Sequence, residues 1–333
     1  MKHCFCSYAS CFAAKGRFYM VNCYYTRNCN HELINEPQDG CWISMTSPSE
    51  KEMFSISRKY SIDMDALKAA LDIDERSRIE VEENYTMILV NIPTIEEDTD
   101  RELFSTMPLA IIMTNKVVIT ICSEDTPILQ QFYQGKVRDF HTYMRSRFIL
   151  QILYKTASCY LQYLRIIDRK SDEVENKLHK STRNQELIEL LTLEKSLVYF
   201  TTALRSNEVV LEKLLRTDVI KKYPEDSELL EDVIVENKQA IEMANIYSGI
   251  LSGMMDAFAS VISNNLNIVM KVLAIITIVM SIPTMIFSAY GMNTNTKGMP
   301  FAESPGGFLI IVLVAVLLSV IVGICFVKLK MFK

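Results

Sequence analysis

The spacing of hydrophobic and polar positions changes along the chain. Between residues 20 and 126, two segments rich in β-branched residues, at 86–92 and 109–122, stand beside stretches of helical spacing, which indicates mixed α/β structure. The polar sequence Thr114-Asn115-Lys116 interrupts the second segment and predicts a hairpin turn. Ser49 and Asp63 stand where helix N-caps are expected.

Helical spacing dominates from residue 127 onward. Apolar residues recur at every third or fourth position through 127–223, which predicts long helices with one break near 181–184 and another at Tyr223-Pro224. The pattern restarts after Pro224, and the next proline is Pro283, so a single helix is predicted over 224–290. Two stretches, 272–290 and 308–326, contain no charged residue and no histidine. At 1.5 Å per residue each spans roughly 28 Å, close to the hydrocarbon thickness of a bilayer.

These patterns predict an α+β cytosolic domain with long helices, followed by a long stalk helix and two transmembrane helices per chain. The predicted parts are a disordered or artificial extension (1–19), a cytosolic α/β part (20–126), a cytosolic long-helix part (127–223), a stalk helix running into the first transmembrane helix (224–290), an outer loop (291–307), the second transmembrane helix (308–327) and a basic cytosolic tail (328–333).

The charges beside the two spans predict their orientation. Lys271 precedes the first span and Lys328 follows the second, with two more lysines behind it. The loop between the spans contains two charged residues, Lys297 and Glu303. Because Lys and Arg accumulate on the cytoplasmic side, both termini are expected in the cytoplasm and the protein in the cell membrane.

Composition mainly excludes functions. A net charge of −5 over 333 residues disfavours nucleic acid as a partner. Two uncharged spans disfavour a wholly soluble enzyme. No G-x-S-x-G, H-E-x-x-H or glycine-rich phosphate motif occurs, and the four histidines form no close ligand pair, so we do not expect an enzyme. A membrane-tethered helical scaffold remains an alternative from a different class.

The first span carries a polar stripe. Its hydroxyl residues follow one another at intervals of four, three and four, which keeps them on one side of a helix. Extended backwards, the stripe comprises Asn267, Met270, Leu273, Thr277, Ser281, Thr284 and Ser288. Such a face is typical of a surface turned toward water or another helix. Two spans per chain cannot enclose a pore, so a pore around this stripe requires an oligomer.

The end of the first span carries a specific motif, Gly291-Met292-Asn293. With the sequence MKVLAIITIVMSIPT at 270–284 and Gly-Cys-Trp-Ile-Ser at 40–44, it resembles the CorA family of magnesium transporters over residues 20–333. The resemblance implies a homopentamer in the lipid bilayer with a pore lined by the first span. It also implies that Gly291, Met292 and Asn293 form the outer mouth and that the stripe lines the pore.

The side chains at these positions suit a hydrated divalent cation. Mg²⁺ loses water reluctantly, so a ring of Asn293 amides is expected to hold the ion through its hydration water. The stripe contains no carboxylate to trap the ion, and rings of Met270 and Leu273 would gate by dewetting. The predicted function is passive, potential-driven uptake of Mg²⁺, extending to Co²⁺ or Ni²⁺, with a zinc transporter of the same family as the alternative.

One feature departs from the family pattern. In well-studied members an acidic pair on a cytosolic helix faces a stalk aspartate of the neighbouring copy, and regulatory Mg²⁺ bound there holds the channel shut. Asp256 and Asp232 match the family's stalk acids, but the acidic pair aligns onto Lys68 and Ala69. The sequence therefore predicts a contact between Lys68 and Asp256 across the subunit boundary, where relatives use the metal.

Overall fold

The computed structural model describes residues 20–27, 30–98, 101–178, 184–217, 223–292, 299–301 and 304–328. The chain divides into two compact units, Met1–Ser252 and Gly253–Lys333. The predicted extension over 1–19 and all of the basic tail beyond Lys328 lie outside the described residues.

A mixed β-sheet of seven strands forms the centre of the first unit. Its strands are β1 (Met20–Arg27), β2 (Asn30–Ile34), β3 (Trp42–Thr46), β4 (Arg78–Val81), β5 (Tyr85–Asp98), β6 (Arg101–Thr114) and β7 (Val118–Cys122), in the order β2-β1-β3-β7-β6-β5-β4. Strands β3 and β7 pair in parallel, and all other neighbours are antiparallel. The predicted hairpin is confirmed between β6 and β7, where the Thr114 hydroxyl accepts hydrogen bonds from the backbone N–H groups of Lys116 and Val117.

The helices of the described residues lie between and after these strands. They are α1 (Glu50–Tyr60), α2 (Met64–Ala69), α3 (Pro127–Tyr133), α4 (Arg145–Leu178), α5 (Asn184–Arg216), α6 (Pro224–Tyr290) and α7 (Gly307–Lys328). Both predicted N-caps are confirmed. Ser49 forms a capping box with Glu52, and the Asp63 carboxylate accepts a hydrogen bond from the backbone N–H of Asp65.

Hydrophobic side chains cover both faces of the sheet. On β5, Met87 and Leu89 belong to a core that also contains buried residues of α1 and α2. Their neighbours Ile88 and Val90 belong to a second core, which buries side chains of α3, α4, α5 and α6. Alternation along the strand explains this division, because successive side chains of a strand point to opposite faces.

The prediction of long helices over 127–223 is wrong for residues 134–144, and the predicted break near 181–184 lies mostly outside the described residues. Helix α3 ends after two turns because Gly135 adopts φ +65°, and the backbone closes the helix end with two hydrogen bonds. Gly135 N–H donates to the Phe132 carbonyl (3.1 Å) and Lys136 N–H to the Gln131 carbonyl (2.9 Å). These are the two bonds of a Schellman motif, for which glycine is the usual residue.

The Gly-Cys-Trp-Ile-Ser segment has a structural role. Trp42 is fully buried, its indole N–H donates to the Thr120 hydroxyl (2.9 Å), and its ring lies 5.2 Å from that of Phe148 and 5.0 Å from that of Tyr24. Gly40 adopts φ +84°, which side chains disfavour. This part of the motif therefore builds the core of the first unit.

Side chains of two helices hydrogen-bond to the backbone of β5 at Asn91, and one of them is the buried amide of Asn207. Pro108 of β6 pairs with Asn91 of β5 and has no N–H to donate. The Asn91 carbonyl instead accepts hydrogen bonds from the Asn207 side chain of α5 (2.7 Å) and from the Tyr160 hydroxyl of α4 (2.9 Å). Asn91 N–H and the Ser77 hydroxyl both donate to the Asn207 side-chain oxygen, at 2.9 and 2.8 Å.

Replacing this amide should destabilise the first unit. Asn207→Ala removes three hydrogen bonds at a buried position, and we expect the free energy of unfolding to fall by about 3 kcal/mol. Unfolding in urea is followed by the fluorescence of Trp42, the single tryptophan. Asn176→Ala is the control, because that exposed side chain donates to the Asp172 carbonyl of its own helix. Equal transitions for the two variants would contradict this account.

The second unit contains α6 from residue 253 onward and α7. Helix α6 and residues Gly307–Phe326 of α7 are each long and apolar enough to cross a membrane. Only 6% of either apolar window is buried, unlike the core helix of a soluble protein. Their apolar side chains are therefore available to lipid or to other copies of the chain.

Candidate ion pathway

The predicted polar stripe lies on α6, within the second unit. Thr277, Ser281, Thr284 and Ser288 line one groove of about 810 Å³ along the helix, and Met292 lies at its end. The three residues of the stripe that precede this groove are all exposed: Asn267, Met270 and Leu273. The structure therefore brings the four hydroxyl residues together and leaves the other three as an exposed continuation.

The hydroxyl groups are oriented by their own helix. Thr277 donates to the Leu273 carbonyl (2.8 Å), Ser281 to the Ile278 carbonyl (2.8 Å) and Thr284 to the Met280 carbonyl (3.0 Å). Each hydroxyl has one proton and two lone pairs, so donating inward leaves the oxygen free to accept from outside. The groove consequently presents a row of hydrogen-bond acceptors without a formal charge.

The other side of α6 is apolar and partly covered. Ile275 is 9% exposed and lies about 160° around the helix from Thr277. Val279 and Pro283 line a second, apolar groove together with side chains of α7. The stripe is therefore on the side of the helix that α7 leaves open.

Met270 and Leu273 follow Asn267 in the stripe, and their side chains offer no oxygen or nitrogen atom that could hold an ion. They are 60% and 63% exposed, values that are high for large apolar side chains. A surface of this kind needs a partner or a membrane to cover it. Their assignment to a hydrophobic constriction is a prediction that requires neighbouring copies.

The predicted mouth is only partly described. Gly291 closes α6, since its N–H donates to the Phe287 carbonyl (2.9 Å), and Met292 is exposed. The Tyr290 hydroxyl donates to the Pro300 carbonyl (2.9 Å), which ties the end of the span to the loop. Asn293 lies outside the described residues, so its role remains a prediction.

Three of the predicted regulatory residues are at the surface, and the fourth is buried. Asp232 and Asp256 are exposed on α6, and Ala69 is buried in the core of the first unit. The Lys68 ammonium lies 3.9 Å from the Glu50 carboxylate, with both side chains largely exposed. Among the residues that the structure describes, no group of three or more His, Cys, Asp or Glu side chains is arranged to hold a metal ion.

The buried cysteines are poor metal ligands. Burial raises the pKa of the Cys41 thiol to about 11 and that of Cys122 to about 12, so both stay protonated at neutral pH. Metals bind the thiolate. These side chains therefore pack as small apolar groups in the core.

The sequence of the chain matches a known family over most of its length. Residues 37–328 match the family model described as CorA-like Mg²⁺ transporter protein. The chain belongs to the CorA family. It is therefore a membrane protein of a family of divalent-cation transporters, as the Gly-Met-Asn motif predicted.

Two curated CorA proteins are similar to this chain over most of its length. The cobalt/magnesium transport protein CorA of Methanocaldococcus jannaschii is 29% identical over 293 residues, which cover 85% of this chain and 89% of that protein. The cobalt/magnesium transport protein CorA of Thermotoga maritima is 27% identical over 306 residues, covering 87% of this chain and 82% of that protein.

A solved CorA structure has the same fold. The complete structure of the CorA magnesium transporter from Methanocaldococcus jannaschii matches with a TM-score of 0.79 at 26% identity, covering 93% of this chain and 98% of that one. The predicted fold class, an α+β domain followed by a long helix and two candidate spans, is confirmed for the single chain.

The predicted ion pathway did not include the apolar residues that border the groove beside the four hydroxyl residues. Ile276, Met280, Met285 and Ala289 line it together with the hydroxyls. Their spacing of four and five follows the same helical turns. In sequence they are indistinguishable from lipid-facing residues, because both environments select apolar side chains.

Proposed function

We propose that the chain assembles as a homopentamer that forms a passive, potential-driven channel for Mg²⁺ uptake, also admitting Co²⁺ or Ni²⁺. Both termini lie in the cytoplasm, and the α6 stripe from Asn267 to Ser288 lines the pore. The observation that carries the proposal is the row of inward-donating hydroxyls on the open side of α6.

The hydroxyl row suits an ion that keeps its water. Mg²⁺ binds its waters tightly and dehydrates reluctantly. Those waters point their hydrogens outward and need acceptors, which the oxygens of Thr277, Ser281 and Thr284 provide. A neutral row can pass the hydrated ion from one turn to the next without a deep energy minimum, since conduction requires binding weak enough to release.

Assembly would complete the pathway. Five copies arranged around the stripe place five Asn293 amides at the outer mouth, where they accept hydrogen bonds from the hydrated ion. At the other end, five Met270 and five Leu273 side chains form apolar rings that close by dewetting. The five-fold arrangement follows from the family resemblance, and the need for several copies follows from the two spans per chain.

The ligand chemistry favours Mg²⁺ over zinc. Zn²⁺ is held in proteins mainly by thiolate, imidazole and carboxylate groups. The groove residues offer hydroxyl oxygens and thioether sulfurs instead. The curated relatives, whose names specify cobalt and magnesium, support the same choice of ion.

Ion competition in proteoliposomes tests the choice of ion. Purified protein is reconstituted around a fluorescent Mg²⁺ indicator, and Mg²⁺ influx is measured with increasing external Co²⁺, Ni²⁺ or Zn²⁺. We expect Mg²⁺ influx that Co²⁺ and Ni²⁺ reduce at lower concentrations than Zn²⁺. Zinc entry without any Mg²⁺ entry would assign the chain to zinc transport instead.

The predicted contact of Lys68 with Asp256 of a neighbouring copy has a consequence for gating. A lysine is permanently charged at neutral pH, so closure should depend less on cytosolic Mg²⁺ than in relatives with an acidic pair. Lys68→Ala should loosen the closed state, and Lys68→Asp should introduce a steep dependence on Mg²⁺. The measurement is protection from limited proteolysis across a Mg²⁺ titration.

Lys51→Ala is the matched control, since Lys51 is another exposed lysine of the same domain. The fold itself should tolerate both alanine variants, because an exposed ion pair such as Lys68–Glu50 contributes about 1 kcal/mol at most. Strong Mg²⁺ protection of the unmodified protein that persists in Lys68→Ala would contradict the prediction and point to other stalk acids such as Asp232.

A further inference from the structure

A second groove in the membrane unit lies between α6 and α7. It has a volume of about 620 Å³, and apart from one hydroxyl and one ammonium its lining is apolar. The α6 side consists of Val279 and Pro283. The remaining lining residues come from α7 and are Val316, Ser319, Val320, Gly323, Ile324 and Lys328. The Ser319 hydroxyl donates to the Ala315 carbonyl (2.8 Å) of its own helix, so it needs no partner from the groove.

Gly323 lines the groove opposite Val279. A Cβ added at Gly323 would lie 3.9 Å from the Val279 side chain, which is ordinary van der Waals contact. A side chain larger than alanine at position 323 would extend into the space between the two helices and narrow the groove.

The groove has about the length of a lipid acyl chain. Val316 and Lys328 are twelve residues apart on α7, a distance of about 18 Å along the helix axis. One leaflet of the hydrocarbon core is about 15 Å thick. The groove thus extends from the ammonium of Lys328, at the end of the span, to about the middle of the bilayer.

Lys328 has no acidic partner in the membrane part of the chain. No Asp or Glu occurs between Asp256 and Glu303 or after Glu303. Lys328 and its equivalents in other copies therefore have no carboxylate side chain available from residues 257–302 or 304–333. An anionic headgroup at the end of the span would complement this charge.

We propose that this groove binds one acyl chain of an anionic phospholipid of the cytoplasmic leaflet, whose phosphate pairs with Lys328. Basic residues at the cytoplasmic ends of transmembrane helices are typical partners of such headgroups. The choice of leaflet rests on the orientation proposed above. Each chain carries one such site, which lies on a different side of α6 from the hydroxyl stripe.

Native mass spectrometry of the full-length oligomer tests the proposal. The protein is incubated with equal amounts of phosphatidylglycerol and phosphatidylcholine, and the retained lipid is counted. We expect up to one phospholipid per chain and about a fivefold preference for phosphatidylglycerol, the ratio expected for one lysine near a membrane surface. Lys328→Gln should abolish that preference, and Lys328→Arg should keep it.

Filling the groove tests the acyl-chain site. Gly323→Leu should reduce retention of both lipids about tenfold, because several methylene groups lose their contact with the protein. Cys325→Leu is the matched control, since Cys325 is exposed and does not line the groove. If Gly323→Leu fails to assemble, Val316→Phe fills the groove from its other end, seven residues away on α7.

Three results would overturn the proposal: an oligomer that retains no phospholipid, equal retention of the two lipids by the unmodified protein, or full retention by both groove-filling variants. The first would mean that a neighbouring helix occupies the groove. Mg²⁺ uptake measured on the same preparations separates this inference from the proposed function. Uptake without specific lipid retention would contradict only the proposed lipid site. Lipid retention without uptake would contradict only the proposed channel function.

Discussion

Asn293→Ala should reduce Mg²⁺ uptake by at least about tenfold while leaving the oligomer intact. An amide that accepts a hydrogen bond from a hydration water contributes about 1 kcal/mol, and a pentamer loses five of them at once. The substitution removes no apolar packing and no charge, so assembly should be unaffected. Uptake is measured as initial Mg²⁺ influx into proteoliposomes, and assembly by size-exclusion chromatography with light scattering.

Asn295→Ala is the control for this variant, because it makes the same change two residues further along the same loop. We expect its uptake to remain close to that of the unmodified protein. If Asn293→Ala takes up Mg²⁺ at the unmodified rate, the amide has no part in recognising the ion. If the two variants lose uptake equally, the effect belongs to the loop as a whole.

A carboxylate should have opposite consequences on the two sides of α6. Met270→Asp places charge in the proposed apolar constriction, where it should keep the pore wet and raise the ion current at low Mg²⁺. Ile275→Asp places the same charge on the buried side of the span. A charge within a transmembrane helix costs up to about 3 kcal/mol in insertion, and Ile275 lies one turn into the span on its buried side, so we expect less protein in the membrane.

The measurement combines currents in planar bilayers with the amount of folded oligomer recovered from membranes. Met270→Asp should be recovered normally and conduct more, whereas Ile275→Asp should be recovered poorly. If both variants are recovered and conduct alike, the stripe does not face the pore. This comparison tests the helical face, since both variants add one carboxylate to α6 within five residues of each other.

Local signals predicted much of the fold because their causes are local. A capping serine acts on the next turn of its own helix, and so Ser49 could be placed from the sequence alone. The same applies to the turn after Thr114 and to the spacing of the hydroxyl stripe. Gly135 could have indicated the end of α3, but the apolar periodicity on both sides of it favoured a continuous helix. The break becomes visible only when the hydrogen bonds of the helix end are known.

The features that periodicity could not predict depend on distances between elements. The Asn207 side chain bonds to Asn91, which is 116 residues away, and no local pattern indicates that contact. The groove beside Gly323 depends on how closely two helices approach. For the candidate pathway, spacing identifies which side of α6 carries the hydroxyls. How closely five such faces approach one another depends on the assembly, and the residue spacing within one helix does not predict it.

Potential-driven Mg²⁺ influx into proteoliposomes tests the central claim most directly. An inside-negative potential of 100 mV is worth about 5 kcal/mol for a divalent cation, and a passive channel needs no other energy source. We predict that imposing this potential with a potassium gradient and valinomycin accelerates Mg²⁺ influx without ATP, and that reversing its sign suppresses influx. Influx that does not depend on the sign of the potential, or that is no faster than in protein-free vesicles, would contradict the proposal of a passive channel.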